Sequence, residues 1–366
     1  MRRTGHANLP LHGGHAPRWL FKRMVKLAKA ITSIIIDEYG SREFLRRISD
    51  PFWFQSFSCI LGFDWHSSGT TTTTCAALKN AISPEEHGIL VTGGKGKASR
   101  KAPTELKGAE EFFNIEAQDL IRASRLVAKI DNSCIQDSYQ LYHHTFIVDE
   151  TGEWTAIQQG LNSRRGYARR YHWSSQDLND FVENPHTGII SISRERKVLN
   201  MTAPESRNAR NISLELVCDG PEHLKGQITG QTTLYNYSIL EMPSHHEIRQ
   251  VFTEADFQIL EKAYEIQPEN YEDLILVKGM GPKKIRALAL LSDLLYGEPP
   301  SWEDPVKYAF AHGGKDGHPY PVEKRVYDNT IQFLEDAVNE SKIDKEDKIR
   351  ALKSLENFIS KNGGLS

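Results

Sequence analysis

Apolar residues recur at helical spacing near the start of the chain, where Trp19, Leu20, Met24, Leu27, Ile31, Ile34 and Ile35 share a face. The pattern predicts a helix that begins near Pro17 and stops at Gly40. Its other face carries Arg18, Lys22, Arg23, Lys26 and Lys29 with no acid before Asp37, which fits a solvated surface or an anionic partner. After Pro51 the chain turns aromatic (Phe52-Trp53-Phe54, Phe57), predicting a buried strand or short helix, then a polar loop over Asp64–Gly69. A new helix begins among the five threonines that follow. Ile89-Leu90-Val91 leads into the basic glycine-rich loop Gly93–Lys101, and a helix covers about Glu116 to Lys129. Leu141–Val148 and Trp154–Gln159 read as two strands of a hairpin turning at Asp149–Gly152, and Ile212–Val217 as a further extended stretch.

Beyond about Pro243 the texture becomes helical, without strand signals. Thr253 and Asn270 read as helix caps, and two amphipathic helices, near Pro321–Asn339 and Lys345–Lys361, finish the chain. The fold class expected is α+β. A mixed α and β unit over residues 1–243 precedes a helical unit over 244–298 and a helical segment over 299–366. There is no internal repeat.

Composition narrows the classes. With 25% charged residues and no apolar run of membrane-spanning length, the 366-residue chain is not an integral helical membrane protein. Aromatic content of 9% excludes wholesale disorder. The balance of 45 Lys+Arg against 48 Asp+Glu means that any nucleic-acid binding must come from local patches. Cys59, Cys75, Cys134 and Cys218 are widely spaced, so neither disulfides nor a cysteine zinc site is expected. No apolar signal core follows the N-terminus, and a cytoplasmic location is expected.

One segment stands out in the helical part. Residues 274–289 resemble the helix-hairpin-helix motif: an apolar helix end, the hairpin Gly279-Met280-Gly281, and a second helix opening at Pro282 with small Ala287 buried. The glycines permit a tight turn, proline suits the first helical position, and the free amides of the new helix favour a phosphate. Lys278, Lys283, Lys284 and Arg286 surround that point. The expected partner is DNA, held by its backbone and not read by base; an ordinary packing corner is the alternative.

Candidate chemistry lies in the first 243 residues. Asp64 and His66 are two apart, so in extended backbone they share a face and suit one metal ion, while Ser68, Thr70 and Thr71 open a helix that suits phosphate or is simply capped. The Gly93–Lys101 loop suits backbone approach to phosphates but lacks the P-loop order; a flexible solvated loop fits it as well. The densest group runs from Asp131 to His172 and includes Asp137, His143, His144, Gln158, Gln159, Arg169 and Arg170. His143 and His144 face opposite sides of their strand, so at most one joins a given site. Neither a restriction-type core nor an HNH pattern is present.

Several stretches resemble domain-of-unknown-function family 763: Thr4-Gly5-His6, Leu9–His15, Asp64–Gly69, Gln158-Gln159-Gly160, Ala168–Trp173 and Glu183–His186. The resemblance implies a prokaryotic source and assigns no catalytic residue. Residue chemistry points to a metal-dependent nuclease or phosphodiesterase using Mg2+ or Mn2+. Asp64, Asp137 and His66 are the expected ligands, His66 or His143 the further ligand or base, and Arg169 and Arg170 the phosphate clamps. A non-catalytic DNA-binding protein of a repair assembly and an enzyme acting on nucleotides are the alternatives. A homo-oligomer is compatible with each.

Overall fold

The computed structural model describes residues 16–62, 68–220, 254–309, 324–341 and 343–362. The helix expected from Pro17 spans Arg18–Tyr39 (α1), and Gly40 ends it at φ 85°. Then come α2 (Ser41–Ser49) and α3 (Pro51–Ile60), the latter capped by Asp50, whose carboxylate accepts from the amides of Phe52 and Trp53. The aromatic run is thus helical, and it is buried nearly all round. Its packing on helices and sheet at once explains why it shows no amphipathic period. The threonine-rich helix α4 covers Ser68–Ala81 and turns Thr70, Thr71 and Thr74 inward.

Six strands form one sheet. In chain order they are β1 (Ile89–Lys95), β2 (Gln140–Asp149), β3 (Trp154–Asn162), β4 (Tyr167–Ser174), β5 (Gly188–Ser191) and β6 (Tyr308–Ala309), and they are neighbours in that order. β1 to β5 pair antiparallel, whereas β6 joins the edge parallel to β5. The helical texture after Pro243 therefore conceals one strand, too short to announce itself by alternation.

Helices cover both faces, giving an α+β fold in three layers. Ile147 and Ile157 pack under α1–α4, together with Leu334, Val338 and Leu355 of the last two helices, α10 (Lys324–Glu340) and α11 (Lys345–Asn362). Phe146, Ala156 and Trp173 face the other layer: α5 (Ala117–Lys129), α6 (Arg207–Cys218), α7 (Glu254–Ile266), α8 (Tyr271–Leu276) and α9 (Pro282–Tyr296). One hydrophobic cluster thus joins sheet residues to Leu274, Met280, Ile285 and Leu288. The cap expected at Thr253 lies outside the described residues.

Two expectations change. Ile212–Val217 is not extended but the end of α6, whose buried positions Ala209, Ser213, Leu216 and Val217 follow helical spacing; the alternation of Ile212, Leu214 and Leu216 is incidental. The basic face of α1 finds anionic partners within the chain. Lys26 meets Asp344 at 2.8 Å, Arg23 meets Asp347 at 3.6 Å, and Lys29 meets Glu86 at 2.5 Å. Such exposed pairs add at most about 1 kcal/mol each. Two of them tie α1 to the start of α11, and the third ties it to the short helix Pro84–His87.

Candidate functional site

The central strands bury polar side chains on both faces. Directly paired residues share a face, so the register His143↔Gln159↔Arg170 places these three together, next to His172 and under α3 and α4. All four are fully buried. Gln159 ties the strand to α4: its amide donates to the Ser68 carbonyl at 2.8 Å, and its carbonyl accepts from the Thr71 hydroxyl at 2.5 Å. Arg170 reaches Gln55 Oε1 with both terminal nitrogens, at 3.1 and 3.2 Å, and its guanidinium lies over the Phe54 ring at 4.6 Å. Among the described residues it meets no carboxylate, and burial pushes its pKa down to about 9. His143 donates to or accepts from Thr145 at 3.0 Å through Nε2, while Nδ1 has no partner among the described residues; burial lowers its pKa to about 3, keeping the ring neutral.

The opposite face holds a second network. Asp137 accepts from Arg169 at 2.9 Å and from the Tyr171 hydroxyl at 2.6 Å, and burial raises its carboxyl to about 6. Arg169 also makes a two-pronged contact with Asp304, at 3.0 and 2.7 Å. Its ring-face neighbour is Tyr139, 4.7 Å away, whose backbone comes so close to Gly160 that a Cβ there would lie 2.9 Å from the Tyr139 Cβ. The glycine of the Gln-Gln-Gly stretch therefore serves close approach. Farther along, Ser124 Oγ lies 2.9 Å from His144 Nε2, and His144 Nδ1 lies 2.8 Å from Gln158 Oε1. Gln158 and Trp173 both donate to Asp131 Oδ2, and His186 meets Asp131 Oδ1. Asp131 occupies a π-helical turn, Ile130–Cys134, that continues α5. Sequence reading assigned no role to Asp131, Ser124 or Asp304. Asp304 lies 135 residues from Arg169, and no local pattern links them.

This geometry redistributes the expected catalytic set. Asp64 and His66 lie outside the described residues. Asp137 and His143 occupy opposite faces of the sheet, and Ser68, which opens α4, lies on the face away from Asp137. Arg169 is neutralised by two carboxylates, and Arg170 is sealed among neutral groups and an aromatic ring. Neither guanidinium has a surface to offer a phosphate, which corrects their assignment as clamps. Among the described residues no group of three or more His, Cys, Asp or Glu side chains could hold a metal ion.

The hairpin between α8 and α9 keeps an exposed edge. Asn270 caps α8 by accepting from the Asp273 amide, and the turn closes with the Met280 amide on the Val277 carbonyl at 3.0 Å. Met280 is fully buried, whereas Lys278 and Gly279 are exposed. The other expected cations are engaged: Lys283 and Lys284 share Asp256, at 2.6 and 2.9 Å, and buried Arg286 donates to Gln136 at 2.6 Å. Lys129 of α5 donates to the Met280 carbonyl at 2.6 Å, fastening the turn to the helix layer. α9 starts at Gly281 with no side-chain cap and no acid in its first turn.

The two glycines are unequal. Gly279 has φ 95°, and a Cβ there would lie 2.7 Å from Ile259 Cδ1, whereas Gly281 is extended at φ −126° with its nearest atom at 3.8 Å. Gly279→Val should therefore cost about 2–3 kcal/mol from a left-handed conformation plus the clash. Gly281→Ala should cost less than about 1 kcal/mol, the scale of a weak cap exchange. Urea denaturation of the two variants checks this ordering; equal losses would refute it.

A family model described as "Protein of unknown function (DUF763)" matches residues 5–322. No curated protein and no solved structure matches. Several stretches that carry the family resemblance meet in the sheet: Gln158–Gly160 lies on β3, Ala168–Trp173 on β4, and His186 bonds Asp131 between them.

Proposed function

The chain belongs to the DUF763 family, and for it we propose a DNA-backbone-binding function in which residues 274–289 act as a helix-hairpin-helix. The supporting observation is the exposed Lys278–Gly279 edge, set before the uncapped, acid-free N-terminus of the 15-residue helix α9. The helix end carries about half a positive charge, which suits a phosphate. Lys278 is the exposed cation at this edge, while Lys283 and Lys284 are paired with Asp256. This function lies in the reducing cytoplasm, where Cys59, Cys75, Cys134 and Cys218 stay as the free thiols they are here. No helix among the described residues is long and apolar enough to cross a membrane.

Fluorescence anisotropy with duplexes of unrelated sequence tests the proposal. Affinity should fall linearly with the logarithm of salt concentration, and Lys278→Glu should weaken binding about three- to tenfold for every sequence alike. Absence of binding, or loss confined to one sequence, refutes it.

Phosphodiester hydrolysis is a second reading, and it rests on the Asp64-x-His66 spacing in the sequence, since Arg169 and Arg170 are both buried. Of the ligands expected for Mg2+ or Mn2+, Asp137 is bonded to Arg169 and Tyr171, and Asp64 and His66 lie outside the described residues. Cleavage that requires either ion, and that Asp64→Ala abolishes without loss of DNA binding, is the result this reading demands. Binding without cleavage in either metal leaves the non-catalytic function.

A further inference from the structure

The glycine-rich basic segment expected as a loop is a folded turn. β1 ends at Lys95, and Gly96–Lys101 form a 3-10 helix followed by a short helix, Ala102–Glu105. Gly93 and Gly94 adopt φ 79° and 136°, and a Cβ on Gly93 would lie 2.2 Å from the His144 carbonyl oxygen, so the turn is pressed against β2. Glu105 secures it by accepting from the Gly93 amide at 2.7 Å and from Lys79 at 2.6 Å, while Ser99 donates to the Gly96 carbonyl at 2.6 Å. Lys95, Lys97, Arg100 and Lys101 all point into solvent, and among the described residues none meets a carboxylate. Four uncompensated cations in seven residues are notable in a chain of net charge −3. α1 shows the contrast, since three of its basic residues have acidic partners within the chain.

The turn and the hairpin share a support. The Ala102–Glu105 helix packs against α5, and α8 packs against α5 as well. Lys129 in the last turn of α5 holds the hairpin carbonyl, and Arg125, one turn earlier, is exposed. Folding thus fixes two cationic elements on one helix.

We propose that the Lys95–Lys101 turn is a second contact for the DNA backbone, acting with the Lys278 hairpin through their common attachment to α5. The inference rests on the DNA-binding function proposed above. A duplex is the partner favoured, because the charges that the turn presents to solvent are all cations and because the hairpin is suited to the same chemistry.

The test uses the full chain and a labelled duplex across a salt series. K97E/R100E/K101E changes only exposed side chains and should melt like the wild type. It should bind about tenfold or more weakly near 0.1 M salt, with the log–log salt slope reduced by about 2–3, roughly one for each phosphate no longer neutralised. A control of equal charge change on the α1 and α11 side, K22E/K345E/K353E, should keep the wild-type slope. If the turn variant matches either the wild type or the control while Lys278→Glu still weakens binding, the second contact is refuted and the hairpin function stands. If the wild type binds no duplex, the DNA-binding function itself fails and the second contact with it.

Discussion

Arg169→Met is expected to destabilise the fold by about 3–5 kcal/mol, the cost of leaving buried charge without its partner. Arg169 is fully buried and lies between Asp137 and Asp304, both also buried. Methionine keeps much of the volume but leaves two carboxylates facing each other in low dielectric. The triple change Arg169→Met, Asp137→Asn, Asp304→Asn removes all three charges and should recover a large part of the loss. Urea denaturation at pH 7 measures both variants. A loss below about 1 kcal/mol for the single variant would mean that water reaches the site and the charges are not buried.

Acid should unfold this protein earlier than its surface carboxylates alone require. Burial lowers the pKa of His143 to about 3, and it also lowers those of His144, His172 and His186. A histidine depressed in the folded state contributes stability above its unfolded value of about 6.5, and that contribution fades as pH falls below it. His143 should cost about 2 kcal/mol by pH 5, because the unfolded chain takes a proton that the folded one refuses, and the other three act in the same direction. Asp137 acts oppositely. Raised to about 6, it takes up a proton in the folded state first and gains stability as pH falls toward its unfolded value near 3.8. One carboxyl offsets only part of four imidazoles. Carboxylates with lowered pKa, such as Glu43, contribute only at still lower pH. Denaturation midpoints at pH 7, 6 and 5 should therefore decline; a flat or rising series would refute the buried, neutral state of these rings.

What was legible in the sequence follows from where each signal originates. α1, the β2–β3 hairpin and the turn at Gly279 are local, set by periodicity or by one residue's permitted backbone. β4 was not legible as a strand, because Arg169 and Arg170 suggest a surface or a binding site while each is buried on its own side of the sheet. Their partners come from Asp304 and Gln55, 135 and 115 residues away. Polar residue types marked the region as unusual and could not show that its charges are satisfied internally. The hairpin glycines show the same limit at short range: Gly-x-Gly is symmetric as text, whereas only Gly279 has a positive φ and a neighbour in the way.

The order of assembly follows from the last strand. β1 to β5 are complete by Ser191, yet β6 joins their open edge from residue 308, in the parallel sense that a hairpin cannot make. Asp304 arrives on the same late segment, and Glu195 donates its amide to that carboxylate. A chain emerging from the ribosome therefore carries the Arg169 cation with half its counter-charge, beside an unpaired strand edge, until Asp304 and the strand after it have been made. Closure of such a distant loop is slow, and exposed edges invite aggregation. Shortening the chain before Asp304 should leave the edge open and yield insoluble protein, even though most of the sheet is already encoded.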